Sequence, residues 1–512
     1  MILYILLLSL AAVIFNLTLP IMAGLYIVSD LGGSPYMTSY TVSFFCIGNL
    51  LGVPLGKPGV TRLSPIQLFV VCLSLTALCS LGCATASDFF MFILFRFLEG
   101  FASGPIFLLI TCTLIPLLSP NKDKVYIVSL VLICLSIIPV IGASYGAWIA
   151  YSYHWRFLFI SNIPLCIFLI LYVGYGYRKY HEPVKRTYFD RLGYFYYCIS
   201  MMFIGAALTT GQELDWFRSP LITFLLIFGG VSLIFFILRS WSAQYPVIDL
   251  KLLKNFYFSL AMIYIALFFS LYFGMVILLS LWLKLYVNYT PDWIALIIGT
   301  MAFCGWIPVL INKRQYEPFF PLIIALLFFA ISCFYTTYFN VDINFNRIAF
   351  SRGLAGIGLA LFLSPLFQLS MQTHPETKLA ECIGFFHVSR LLGSGLGVAL
   401  FLILWHRREV FYHQRLGSKL TAFSQETQRF LEKANLLHIQ GKHASAQLNF
   451  YLTRQATALA LDDCFYLMGW MALLLLFFLI IIFLFSRKKN SVLTKRDKNT
   501  LLVDKGISEQ RS

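Results

Sequence analysis

Phe92-Ile93-Leu94-Phe95-Arg96-Phe97-Leu98-Glu99-Gly100 is an apolar run broken by two full charges. It lies inside a stretch, residues 89–117, that exceeds the roughly 20 residues needed to cross a hydrocarbon core. An ionisable side chain near the middle of a bilayer costs about 2.5–3.5 kcal/mol on insertion scales, so a pair there needs a reason. Three residues apart on a helix, Arg96 and Glu99 share a face and partly neutralise each other. Two readings follow. The pair fixes helix packing, or it lines a path along which a proton or a solute moves.

The whole chain repeats the pattern of that run. Its 512 residues are 59% hydrophobic and 12% charged, with a mean hydropathy of +0.81. A soluble protein of this length needs a polar surface that such a composition cannot supply. The fold class is therefore an all-α polytopic membrane protein, helical because backbone groups in lipid must pair within their own segment. Spans are predicted near 2–27, 38–56, 66–86, 89–117, 125–151 and 155–176, then 192–211 and 219–239. A last set falls near 256–283, 291–311, 318–338, 347–373, 380–405 and 464–486. This is a six, two, six arrangement of fourteen spans. It divides the chain into a six-helix bundle (1–176), a linker with two inserted spans (177–254), a second six-helix bundle (255–486) and a basic tail (487–512). Within the second bundle, residues 406–462 are polar with apolar helical spacing, which predicts a helical hairpin outside the membrane.

The formal charge of +16 is distributed as a topology signal rather than a nucleic-acid face. Alternate short loops hold Lys57, Arg62, Lys122, Lys124, Arg178, Lys179, Lys185, Arg186, Arg191, Lys251, Lys254, Lys313 and Arg314. The loops of opposite parity hold only Arg156, Arg218, Lys284 and Arg347. By the positive-inside rule both termini are cytoplasmic. Met1 opens directly into the first span, with no basic region before it, which reads as a retained span rather than a signal peptide. The cysteines are scattered singly through apolar runs without ligand spacing, so neither a disulfide framework nor a metal site is expected. No G-x-x-x-x-G-K-[ST] loop occurs, which argues against an ATP-driven pump. No nucleophile–base pair argues for an enzyme, and no catalytic residue or cofactor is expected. An ion channel would bring a filter or a ring of charge, and neither is present.

Five further stretches carry a resemblance. Asn16-Leu17-Thr18-Leu19-Pro20 resembles N-x-A-L-P, and Phe95-Arg96-Phe97-Leu98-Glu99-Gly100 resembles R-x-x-Q-G. His154-Trp155-Arg156-Phe157-Leu158-Phe159-Ile160-Ser161-Asn162-Ile163-Pro164 resembles W-R-W-x-F-x-I-N-x-P. Gly211-Gln212-Glu213-Leu214-Asp215-Trp216 resembles G-x-x-x-x-W, and Ser389-Arg390-Leu391-Leu392-Gly393-Ser394-Gly395-Leu396-Gly397 resembles R-x-x-G-x-x-x-G. In this order and spacing the chain resembles the major facilitator superfamily, drug:proton antiporters of the fourteen-span EmrB/QacA type. There are departures. The family's first-span Asp falls on Ala11, the loop Gly56-Lys57-Pro58-Gly59-Val60-Thr61-Arg62 keeps Arg62 but lacks the usual acid, and G-P-x-x-G-G becomes Gly142-Ala143-Ser144-Tyr145-Gly146-Ala147.

The resemblance implies a major facilitator fold and a proton-coupled exporter of lipophilic or cationic drugs, working by alternating access in a bacterial inner membrane. It also implies a small-molecule substrate and protons as partners, with a periplasmic adaptor and an outer-membrane channel beyond them; residues 406–462 are the candidate dock. Rival readings are an exporter of one endogenous metabolite, such as a siderophore, and a non-transporting scaffold or sensor. Glu99 is the one acid placed deep in a span, and with Ala11 replacing the family acid it is the candidate proton carrier. Burial favours a carboxylate that takes up protons, while Arg96 favours the charged form, so a switch and a permanent pair both stay open. His387 and Arg390 share a face of span thirteen as a second relay or a substrate contact. Arg352, placed near the inner third of span twelve, is read as structural. Arg62 marks the cytoplasmic gate loop, and Gly100, Gly104, Pro105, Gly142, Gly146, Gly393 and Gly397 are packing or hinge points. The 50 Phe, 28 Tyr and 9 Trp supply aromatic surface for flat apolar or cationic molecules.

Overall fold

The computed structural model describes residues 2–57, 59–118, 124–175, 188–311, 318–371, 378–421, 424–436 and 441–509. Of the basic loop residues named above, Lys122, Arg178, Lys179, Lys185, Arg186, Lys313 and Arg314 lie outside these ranges. Hydrocarbon offers a backbone amide no partner, and the described chain answers with helices and turns throughout. Twelve helices are long and apolar enough to cross a membrane, thirteen when one bent pair is counted. The hydropathy pattern predicts fourteen; the difference lies in Pro291–Trp306, the described apolar part of a further, shorter helix.

The bent pair opens the first half: α1 (Ile2–Thr18) and α2 (Pro20–Asp30) meet at 45°. Pro20 causes the bend, because it has no N–H to offer the carbonyl of Asn16 one turn earlier. The half continues with α3 (Tyr40–Gly52), α4 (Pro65–Thr85), α5 (Phe89–Leu108), the short α6 (Ile115–Leu118), α7 (Lys124–Ser152) and α8 (Arg156–Leu169). The inserted pair is α9 (Arg191–Thr210) and α10 (Pro220–Ser242). The second half holds α11 (Phe256–Leu285), α12 (Pro291–Ile311), α13 (Phe319–Thr336), α14 (Phe345–Met371), α15 (Leu379–Gly417), α16 (Gln425–Leu436) and α17 (Lys442–Glu509).

Each half packs by the same contacts. In the first, α5 lies against α3 and α4, and α1 against α7; in the second, α14 lies against α12 and α13, and α11 against α15. Small residues let these backbones touch. A Cβ on Gly100 of α5 would stand 2.2 Å from the Phe45 carbonyl of α3, and one on Gly356 of α14 would stand 2.2 Å from the Met301 carbonyl of α12. Gly146 of α7 meets the Leu19 carbonyl at the α1–α2 bend, as Gly393 and Gly397 of α15 meet the Ala266 and Ser270 carbonyls of α11. The halves therefore repeat one another in their closest contacts. They join along two seams, α7 with α12 and α3 with α15.

The inserted pair covers the second seam. Tyr194 and Tyr197 of α9 donate to the Leu51 and Leu50 carbonyls of α3 at 2.8 and 2.9 Å. Asp190, which caps α9, binds Arg239 of α10 at 3.0 Å and clamps the two together. Burial alone would raise the Asp190 carboxyl, but Arg239 and the Gly193 N–H hold it below its ordinary value.

Residues 406–462 are built from three helical segments. α15 and α17 simply prolong their spans through this region, with α16 between them. Phe423 and Leu437, two of the apolar positions in that spacing, lie outside the described residues. The prolonged helices are tied to each other by Arg408 with Asp463 and by Trp405 Nε1 donating to the Thr457 carbonyl at 3.2 Å. They are tied to the bundle by Arg454 on the Tyr286 carbonyl and by Arg407 on Gln212 at 3.2 Å.

Gly393→Val should prevent a monodisperse product in size-exclusion chromatography, because its Cβ would sit 2.1 Å from the Ala266 carbonyl. Gly230→Ala, at a position with nothing within 4 Å, should elute as the parent does.

Candidate functional site

Arg96 and Glu99 are both 0% exposed, and Arg96 Nη1 meets Glu99 Oε2 at 2.7 Å. Five helices converge on this pair. Asn16 of α1 donates Nδ2 to Glu99 Oε1 at 2.6 Å, and Ser80 of α4 donates to the same oxygen. The Cys83 thiol of α4 lies 3.9 Å from Oε2, and Asn162 of α8 donates to Ser80 at 3.0 Å. On the cationic side, Arg96 Nε donates to the Thr41 carbonyl of α3 at 3.1 Å and Nη2 to the Asn16 carbonyl at 3.4 Å. That Asn16 carbonyl is the acceptor Pro20 cannot use, so the bend in the first span supplies a ligand for the arginine. The Phe45 and Phe159 rings close over the guanidinium at 4.3 and 5.6 Å. A buried ion pair holds only if its remaining lone pairs and protons are satisfied, and both groups here are supplied with further partners.

The other residues singled out in this helix pack it. A Cβ on Gly104 would stand 2.4 Å from the Asn49 carbonyl of α3, and Pro105 sits against Gly52 and Gly56. Pro105 removes one backbone bond, and a π-helical turn, Leu109–Leu114, follows within a turn. Gly142 of α7 faces the Thr18 hydroxyl and the Phe15 carbonyl of α1.

His387 and Arg390 lie elsewhere, at the junction of the halves. Both are buried, at 3% and 1% exposure. The His387 ring stacks on Phe107 of α5 at 3.8 Å and 7°, so one residue of the second half lies flat against the first. Arg390 Nη2 lies 3.2 Å from His387 Nδ1, and the guanidinium stands 5.5 Å from the Phe269 ring of α11. With Nδ1 accepting, the imidazole proton sits on Nε2. His387 Nε2, Arg390 Nε and Arg390 Nη1 have no partner among the described residues. This is the opposite of the Arg96 site: buried donors, positive charge and no carboxylate.

Arg62 is exposed, just before α4. The acid missing from its loop is matched from a distant segment. Asp249, beyond α10, binds Lys378 at the foot of α15 at 3.0 Å, while Lys57 donates to the neighbouring Val247 carbonyl at 2.5 Å. Burial pushes the Lys57 amine below the usual lysine range against the pull of Glu381 and Asp249; Asp249 holds Lys378 above it. These partners are 129 and 190 residues apart, so sequence pattern could not bring them together. Arg352 lies in the first third of α14. It is the eighth residue of α14, counted from Phe345, as Arg96 is of α5, counted from Phe89; the predicted orientation puts it toward the outer end.

Two openings reach the seams. A groove of about 730 Å³ between α7 and α12 is lined by Ser144, Tyr145, Trp148, Asp292 and Phe303. A cleft of about 150 Å³ lies between α3, α9 and α15, with Cys46, Met201, Leu208 and Leu391 in its walls.

The pattern of the Major Facilitator Superfamily matches residues 4–398. The chain belongs to that superfamily. Among curated relatives of this major facilitator protein, the "Fatty acid resistance protein FarB" of Neisseria gonorrhoeae is 26% identical over 459 residues, covering 88% of this chain and 89% of that one. The "Multidrug export protein EmrB" of Escherichia coli is 25% identical over 463 residues, covering 89% and 88%. Among solved structures, a peptide transporter POT in complex with sulfate aligns with a TM-score of 0.58 at 14% identity, covering 94% of each chain. That likeness is one of fold.

Glu99→Gln should destabilise this transporter by about 3–5 kcal/mol, since it strands a buried guanidinium. Replacing Arg96 and Glu99 together with Met should recover most of the loss. Thermal unfolding in detergent micelles measures both.

Proposed function

We propose that the protein is a proton-driven exporter of amphipathic toxic compounds, working by alternate opening of the two ends of the interface between its halves. The observation that carries this reading is the uncompensated Arg390–His387 cluster at that interface, set against a fully paired Arg96–Glu99 site in the first half. A buried guanidinium with free donors attracts an acid, not a cation. The cargo is thus narrowed from lipophilic or cationic drugs to molecules with an acidic head and an apolar body, for which Phe107 and Phe269 offer ring faces. The name of the relative FarB, a fatty acid resistance protein, agrees with that class, and that of EmrB, a multidrug export protein, with export.

In this mechanism Glu99 carries the proton. Protonation removes the negative half of its pair with Arg96 and weakens the bonds from Asn16 and Ser80, which loosens α1 and α4 from α5. The Asp249–Lys378 contact holds one end of the interface shut until the halves rock. In this reading that end faces the cytoplasm of a bacterial cell, as the basic loops favour, and the protein sits in the inner membrane. The extension built from α15, α16 and α17 then faces the periplasm as the surface for an adaptor.

Transport into inverted vesicles tests the reading. A fluorescent amphipathic carboxylate should accumulate with an imposed pH gradient and cease to do so when a protonophore collapses it. Arg390→Gln should cut that accumulation at least tenfold, a loss of about 1.4 kcal/mol of binding or more, with the protein still folded. Glu99→Gln should remove its dependence on the gradient. Accumulation indifferent to the gradient would overturn the proposal.

A further inference from the structure

The repeat between the halves extends to their buried arginines, and there it breaks in one atom group. Arg96-Phe97-Leu98-Glu99-Gly100 in α5 corresponds to Arg352-Gly353-Leu354-Ala355-Gly356 in α14. Each arginine is four residues before the glycine that touches the neighbouring helix, Gly100 on Phe45 and Gly356 on Met301. Each guanidinium lies under a ring from the closing helix of its half, Phe159 of α8 at 5.6 Å and Phe465 of α17 at 5.4 Å. The helix before supplies a hydroxyl in both halves, Ser80 of α4 to the Glu99 partner of Arg96 and Thr336 of α13 to Arg352 itself. Glu99 has no counterpart. Ala355 stands in its place, so the second half brings no carboxylate of its own.

Arg352 is 0% exposed. Its Nη2 donates to Thr336 at 2.6 Å, Ser351 at 2.9 Å and Ser332 at 3.4 Å. Those hydroxyls give their own protons to backbone carbonyls, Ser332 to Ser351 and Thr336 to Ser332. Nε and Nη1 have no partner among the described residues. The nearby Tyr272 and Cys333 are neutral groups at physiological pH. A guanidinium does not shed its proton, and an unpaired charge inside a membrane bundle is among the costliest groups a fold can hold.

We propose that Arg352 binds a small monovalent inorganic anion, a halide, at its Nε and Nη1 edge, where it does for the second half what the Glu99 carboxylate does for the first. The surroundings favour such an ion over the acidic head of a cargo molecule. The hydrogen bonds and the ring contact of Arg352 come from α13, α14 and α17, all of one half. A ligand with a tail would need the interface, where Arg390 already waits. The inference does not depend on the exporter reading, since it concerns what neutralises a bundle.

The test is thermal unfolding of the purified full chain in detergent micelles, with sodium chloride or bromide replacing sodium gluconate at constant ionic strength. Halide should raise Tm by several degrees and saturate, as binding to the folded state alone requires. Ala355→Glu supplies the missing carboxylate and should show a high Tm in gluconate with no further rise in halide. Arg352→Gln should lose the response, whereas Arg390→Gln should keep it. Where a variant fails to fold, the anomalous signal of bromide in crystals of the parent chain decides, with a peak at Arg352 expected. Equal Tm of the parent chain in halide and gluconate would overturn the proposal. So would a response retained by Arg352→Gln, lost only in Arg390→Gln, or a bromide peak elsewhere with none at Arg352.

Discussion

Hydrocarbon supplies no partner to a polar group, and the architecture follows from how the chain meets that demand at Arg96. The guanidinium gathers a carboxylate from its own helix, an amide and a carbonyl from the first span, and a carbonyl from the second. The carboxylate gathers Ser80 from the third span, which is itself held by Asn162 from the sixth. Five helices are thereby oriented by one ion pair. In water such a pair would contribute little, but here each missing partner would leave a charge or dipole with nothing to replace it.

The second half uses the same scaffold with different chemistry. Close backbone contacts at Gly356, Gly393 and Gly397 match those at Gly100, Gly142 and Gly146. The buried charges differ, however: Arg96 and Glu99 neutralise each other in the first half, while Arg352 and Arg390 leave the second with buried donors that have no partner among the described residues. That asymmetry distinguishes the halves in their buried charge: one closes on its own pair, and the other keeps donors without a partner among the described residues.

Much of this was legible in the sequence. The helical class follows from composition, and Arg96 with Glu99 stood out because two charges interrupt an apolar run. The superfamily could be read from short motifs whose order mattered more than any one of them. What lay beyond reach were partners brought together from far along the chain. Nothing near Lys57 reveals that Asp249 and Lys378 meet beside the Val247 carbonyl it binds. Asn16 is one letter of a motif and Ser80 an unremarked polar residue until folding places both on Glu99. The pairing of Arg96 with Arg352 is also muted, because the residue that gives the first its meaning is alanine in the second. Nor does the apolar spacing of residues 406–462 say where helices begin, since α15 and α17 run into that region without a break from their spans.

The inserted pair gives the molecule a front and a back. By anchoring Tyr194 and Tyr197 to α3 it roofs the α3–α15 seam and leaves only a small apolar cleft beneath. Among the described residues the α7–α12 seam has no such roof, and Trp148, Leu296 and Phe303 beside its groove are exposed. Lipid-dissolved molecules therefore meet an approach from one flank, and a neighbour docked along α10 would leave that approach unobstructed.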